Sequence, residues 1–186
     1  MFLTTASVDV ALRLERSMES RAYSDIMFGL LNKIYHVKYL TLSENTLRVL
    51  THASVYCFPT FHNLTVLELL FDTPSCWTLL RHILARSPNL QSLVFPNGLV
   101  GMSSSGSSFS WSPSELVPEC LFSHLKIIEI REILGNNEEL LLLKYLLEYG
   151  RSLRRISIDV PKYAKIRKEL VKLRRGSKTC KLDLIF

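Results

Sequence analysis

A six-residue motif, apolar-x-x-apolar-x-apolar, recurs along most of the chain, and its spacing limits the possible folds more than any other feature. Its copies run Val37 to Leu42, Leu64 to Leu69, Leu90 to Phe95, Leu125 to Ile130 and Leu153 to Ile158, with a degenerate last copy from Thr179 to Leu184. Successive copies begin 27, 26, 35, 28 and 26 residues apart. The long interval holds a stretch from Asn97 to Glu115 in which Ser103, Ser104, Ser105, Ser107, Ser108, Ser110, Ser112 and Ser114 crowd around Gly101 and Gly106, the composition of an inserted polar loop. A unit of this length, one short strand and one helix, cannot cover its own apolar face, so neighbouring units must stack.

Helix signals fill the intervals. Ser75 is placed to cap a helix with Trp77, Leu80 and Leu84 on one face, stopping before Pro88. Asn136 or Asn137 caps the next, with Glu138 and Glu139 at its positive end and Gly150 at its stop. Pro161 opens a third with Tyr163, Ile166, Leu170 and Leu173 inward. Near the start, Val8, Val10, Leu12 and Leu14 alternate with polar residues as a strand does, and a helix over roughly 20–35 should bury Ile26, Leu30 and Ile34. The expected fold class is α/β: a leucine-rich-repeat-like solenoid of strand-helix units, with a mostly parallel sheet of about seven strands and four long helices.

With 186 residues, 47% of them hydrophobic and 22% charged, the chain has the makings of one soluble core. The longest leucine run, Leu140 to Leu147, is broken by Lys144 and is too short to span a membrane. The first residues carry neither a basic n-region nor an apolar h-region, so an intracellular location, nucleus or cytoplasm, is expected. Cys57, Cys76, Cys120 and Cys180 are widely spaced and read as reduced and mostly buried. In that setting the sequon Asn63-Leu64-Thr65 is a chance match.

No catalytic constellation emerges: there is no G-x-S-x-G, no phosphate-binding glycine loop, no H-E-x-x-H and no paired Cys/His spacing, so neither enzyme activity nor a cofactor or metal is expected. His36, His52, His62, His82 and His124 are dispersed, and His62 and His124 each stand just before a repeat, which assigns them to the turn. Trp77 belongs to a core stripe, and Trp111 is read as pinning the serine loop, with a partner anchor as the alternative.

Residues between the inward leucines project outward. They form one column of Tyr39, Val66, Ser92, Ile127, Arg155 and Lys181, beside a second of Thr41, Glu68, Val94, Glu129, Ser157 and Asp183. We single out Tyr39, Thr41, Val66, Glu68, Ser92, Val94, Ile127, Glu129, Arg155 and Ser157 as candidate partner-binding residues. The mixture suits a protein ligand; Glu68, Glu129 and Asp183 would repel a nucleic-acid backbone. The formal charge is +6, concentrated between Arg151 and Lys181, where only Asp159 and Glu169 oppose twelve basic residues. A solvated helix face explains that run better than a nucleic-acid site, though binding of nucleic acid or an acidic partner there is the alternative, as is a truncated product without a specific ligand.

Trp111, Pro113, the run Val117-Pro118-Glu119-Cys120-Leu121, His124-Leu125-Lys126, Glu138-Glu139, Lys144-Tyr145-Leu146-Leu147-Glu148 and Leu153 together resemble the FBD domain of plant F-box/LRR proteins. Val37 to Leu42 and Phe61 to Leu67 resemble the repeats that precede it. The resemblance implies a leucine-rich-repeat segment over 1–96, a Gly/Ser-rich loop over 97–116 and an FBD domain over 117–186 continuing the same solenoid. It also implies the substrate-recognition part of a cullin-type ubiquitin ligase that works through a Skp-type adaptor. No Leu-Pro-opened F-box precedes Val8, so a protein-recognition surface without direct ligase recruitment is the expectation for this chain. The first strand has no evident polar cover. Weak self-association through the segment from Val8 to Leu14 is therefore expected, and light scattering at high concentration checks it, a monodisperse monomer being the contrary result.

Overall fold

The computed structural model describes residues 4–9, 19–51, 58–71, 77–99, 117–160 and 166–185. Strands and helices alternate: β1 (Thr5–Val8), α1 (Glu19–Lys33), β2 (Tyr39–Leu42), α2 (Glu44–Thr51), β3 (Val66–Leu69), α3 (Trp77–Ala85), β4 (Ser92–Phe95), α4 (Glu119–Ser123), β5 (Ile127–Ile130), α5 (Asn137–Tyr149), β6 (Arg155–Asp159), α6 (Arg167–Lys172) and β7 (Lys181–Ile185). The seven strands form one sheet in sequence order, every pair parallel.

The hydrophobic motif explains this order. Its fourth positions, Leu40, Leu67, Leu93, Ile128, Ile156 and Leu182, are register partners across β2 to β7. All but the half-buried Leu182 are fully buried, and they join the helices in one core. The first positions Val37, Leu64, Leu90, Leu125 and Leu153 are buried in the turns before each strand. In the last copy Thr179 is exposed and its neighbour Cys180 turns inward instead.

Register is pinned where each strand begins. One backbone carbonyl accepts two N–H groups of the next unit: Lys38 from Thr65 and Val66, Thr65 from Gln91 and Ser92, Gln91 from Lys126 and Ile127, and Lys126 from Arg154 and Arg155, at 2.8–3.1 Å. Side chains reinforce the turn. Asn63 Nδ2 donates to the His36 carbonyl at 3.3 Å, and Asn89 Nδ2 to the His62 carbonyl at 2.8 Å. Asparagine side chains thus tie these turns together, while His36 and His62 contribute only their backbone oxygens to those ties.

Several expectations change. The first described strand is Thr5–Val8, which takes in only Val8 of the expected segment Val8 to Leu14; Val10 to Leu14 lie outside the described residues. In α1 the expected Ile26 and Leu30 are 62% and 36% exposed, whereas Ser24, Phe28 and Leu31 are buried along with Ile34. The helix is rotated because α2 and the segment after it, as well as the sheet, pack against it: Ser24 Oγ donates to the Val49 carbonyl of α2 at 3.3 Å, and Phe28 meets Phe58, beyond α2, edge-on at 4.9 Å. Helices α2 and α4 were not expected. The Ser43 hydroxyl accepts the Thr46 N–H at 3.4 Å, so a start signal for α2 was present. Ser75, Pro161 and Tyr163 lie outside the described residues, while Ile166 and Leu170 are buried as expected and Leu173 is half-buried.

Trp77 is fully buried, with its indole Nε1 donating to the Leu99 carbonyl at 2.9 Å. The start of the serine-rich stretch is thus held by a core residue; Trp111 lies outside the described residues. Beside it, Gly98 has φ +78°, and a Cβ there would sit 2.7 Å from the Glu132 carbonyl oxygen. Only glycine permits that approach between neighbouring units.

Helix α5 opens on a capping box. Asn136 Oδ1 accepts the Glu139 N–H at 2.8 Å, and the Glu139 carboxylate accepts N–H groups from Leu134, Gly135 and Asn136 at 3.3, 2.6 and 3.2 Å. At the other end Gly150 donates to the Leu146 carbonyl at 3.0 Å, and a side chain there would collide with Leu153. Burial pushes the Glu139 carboxyl above its ordinary 4.5, with the three N–H donors pulling the other way. An acid raised on folding stabilises most below its unfolded value, and that contribution fades as pH climbs through the folded value. Urea unfolding should show Glu139→Ala costing about 1–2 kcal/mol. Glu139→Gln should flatten the decline in stability above pH 4.5; an unchanged slope would contradict the assignment.

Candidate interaction surface

The strands alternate, so one face of the sheet feeds the core and the other is left to the residues between the leucines. Register partners place Tyr39, Val66, Ser92, Ile127, Arg155 and Lys181 in one row across the sheet, with Thr5 added at its start. A second row holds Ser7, Thr41, Glu68, Val94, Glu129, Ser157 and Asp183. All ten candidate residues named from the sequence therefore share this open face. Most are half-buried, Ile127 and Arg155 are exposed, and Ser157 is the most enclosed at 9% exposure.

The sequence pattern stopped at the sixth motif position and so missed a third row. Strands β6 and β7 continue to the partners Asp159 and Ile185, and Arg131 follows directly after β5. Extending the period-2 alternation by one step past each motif would have found them.

The open face mixes chemistries. At its N-terminal end the Tyr39 hydroxyl donates a hydrogen bond to the Glu68 carboxylate. That acceptor, aided by desolvation, raises the phenol above its ordinary 10.0, because ionising it would lose the bond and set two anions together. At the C-terminal end Arg155 Nε meets Asp183 Oδ2 at 2.7 Å. With both side chains substantially exposed the pair contributes about 0–1 kcal/mol, so its effect is to fix the arginine rather than to hold the fold. Beyond it lies a depression of about 280 Å³ lined by Glu129, Arg131, Arg155, Ser157, Asp159 and Ile185.

The other sequence candidates do not converge. His82 is held below its ordinary value by burial and by Arg81, and His124 Nδ1 sits 2.8 Å from Ser123 Oγ in a turn. His52, Cys57 and Cys76 lie outside the described residues. Burial pushes the Cys120 thiol up to about 12 and raises Cys180, which keeps both protonated. Among the described residues no group of three His, Cys, Asp or Glu side chains is placed to hold a metal, and no helix is long and apolar enough to cross a membrane. In the basic C-terminal run Arg155 is tied to Asp183, and Arg175 Nη1 donates to the Cys180 carbonyl at 3.0 Å. Lys168 and Lys172 are exposed on α6.

A register-locked array of strand-helix units with one open sheet face is a repeat protein. Residues 112–158 match the family model described as FBD. Two F-box/FBD/LRR-repeat proteins of Arabidopsis thaliana, the second named as putative, are 34% and 30% identical to the chain over 68% and 73% of its length. An FBD-associated F-box protein of the same plant is 24% identical over 98% of it. The chain spans 30%, 30% and 41% of the lengths of these relatives. It is a plant-type protein of the FBD family.

Proposed function

We propose that the chain is a leucine-rich-repeat-type solenoid that binds a protein through the open face of its sheet, as the substrate-recognition part of an F-box/FBD/LRR protein. The observation that carries this reading is the register. It gathers tyrosine, aliphatic, carboxylate and arginine side chains from six consecutive strands, β2 to β7, into adjoining rows. Aromatic and arginine groups flanked by polar neighbours suit a protein partner. Polyanion binding is disfavoured by Glu68, Glu129, Asp159 and Asp183 on the same face. The repeats of relatives named F-box/FBD/LRR support a binding role over a catalytic one. In a cullin-type ligase such a face would select the substrate, with the Skp-type adaptor contacted elsewhere.

Position-dependent photocrosslinking tests this. A benzophenone amino acid at Ser92 or Ile127, on the open face, should capture the same protein from plant extract. The same group at Lys144, exposed on α5, should not. Equal capture from all three positions, or capture from Lys144 alone, would contradict the reading.

A further inference from the structure

Three strands, β5 to β7, arrange nine outward positions as a grid: Ile127, Glu129 and Arg131; Arg155, Ser157 and Asp159; Lys181, Asp183 and Ile185. The centre is the smallest side chain, Ser157, and its larger surroundings leave the depression of about 280 Å³ above it. Ser157 is 9% exposed, and it has no hydrogen-bond partner among the described residues. Facing the opening, that hydroxyl is left free to accept or donate a hydrogen bond to a bound group.

The charges around it say which kind. Arg155 is already taken by Asp183 at 2.7 Å. Of the remaining wall groups Glu129, the register partner of Ser157, and Asp159, two residues further along the same strand, are carboxylates with no ion pair or hydrogen bond among the described residues. Arg131 also lines the hollow with its side chain exposed, so with Arg155 held by Asp183 the wall sets two carboxylates against one remaining cation. Ile185, 49% exposed, offers an apolar wall for an aliphatic stem.

We propose that this hollow is the anchor subsite for a lysine or arginine side chain of the protein partner. Its stem lies along Ile185, and its cationic head is shared between Glu129 and Asp159 and donates to Ser157 Oγ. The Arg155–Asp183 pair acts as a positioning element, keeping the arginine out of the hollow it borders. This rests on the open face being the binding surface, and it narrows the partner to one presenting a basic residue there.

The test uses the isotope-labelled chain titrated with N-acetyl-lysine amide, N-acetyl-arginine amide and N-acetyl-glutamate amide, read by amide chemical shifts. The basic probes should give saturable shifts confined to 127–131, 155–159 and 181–185. Affinity should fall about tenfold for Asp159→Asn, the loss of one charge-assisted hydrogen bond, and vanish for Ser157→Leu, which fills the hollow. An unchanged spectrum elsewhere confirms that each variant is folded. Shifts of the same amides by the glutamate probe, basic-probe shifts indifferent to both substitutions, or no shift at all would overturn the proposal. If the probes fail while Ser92 and Ile127 still crosslink a partner, the subsite falls and the open-face reading stands; if the probes bind but crosslinking fails, the open-face reading falls and the hollow's role as an anchor for a protein partner falls with it.

Discussion

The carbonyls of Thr4, Lys38, Thr65, Gln91 and Lys126 each accept two N–H groups from the following unit, and the placement of every outward side chain depends on that coupling. In a parallel sheet a slip of one residue would turn each leucine outward and each surface residue inward. Two effects oppose such a slip here. The shared carbonyl fixes the start of the strand, and the buried leucines resist exposure at about 2–5 kcal/mol each when truncated, by the usual cost of emptying a core site. Because the same coupling recurs in successive pairs of units, an error in one would propagate to the rest. The positions of the open face are therefore set by the same register that sets the core.

The repeat was legible because it is encoded twice, by apolar periodicity within each motif and by the interval between motifs. Leu40, Leu67, Leu93, Ile128 and Ile156 could be aligned from the sequence and are register partners. The α1 face was misread because apolar residues occupy more than one side of that helix: Ile26 and Leu30 follow a helical period as well as Phe28 and Leu31 do. Which stripe turns inward is decided by α2, a short helix whose buried Leu47, Val49 and Leu50 face it but which was not expected from the sequence. Similarly, the turn position before each strand looked histidine-based at His62, but Asn63 and Asn89 make the side-chain bonds. Their amide groups have both the reach and the donor for a carbonyl one unit away.

The candidate face was legible in position and not in chemistry. Periodicity told which residues point outward, whereas pairing between them is a matter of distance: Tyr39 with Glu68, and Arg155 with Asp183, leave Glu129 and Asp159 as the face's unpaired carboxylates among the described residues. Two adjoining rows of mixed polar and apolar positions thus acquire two paired ends of different character, with a serine-floored hollow at one of them. Specificity in such a surface follows from these local inequalities more than from the fold that carries them.

A map of backbone proton contacts between strands tests the central claim most directly. The register account predicts nuclear Overhauser contacts that join Leu67 to Leu93, Leu93 to Ile128 and Ile128 to Ile156 as parallel neighbours. Contacts that instead pair Leu93 with Ile127 or Glu129, or that join nonadjacent repeats, would contradict it.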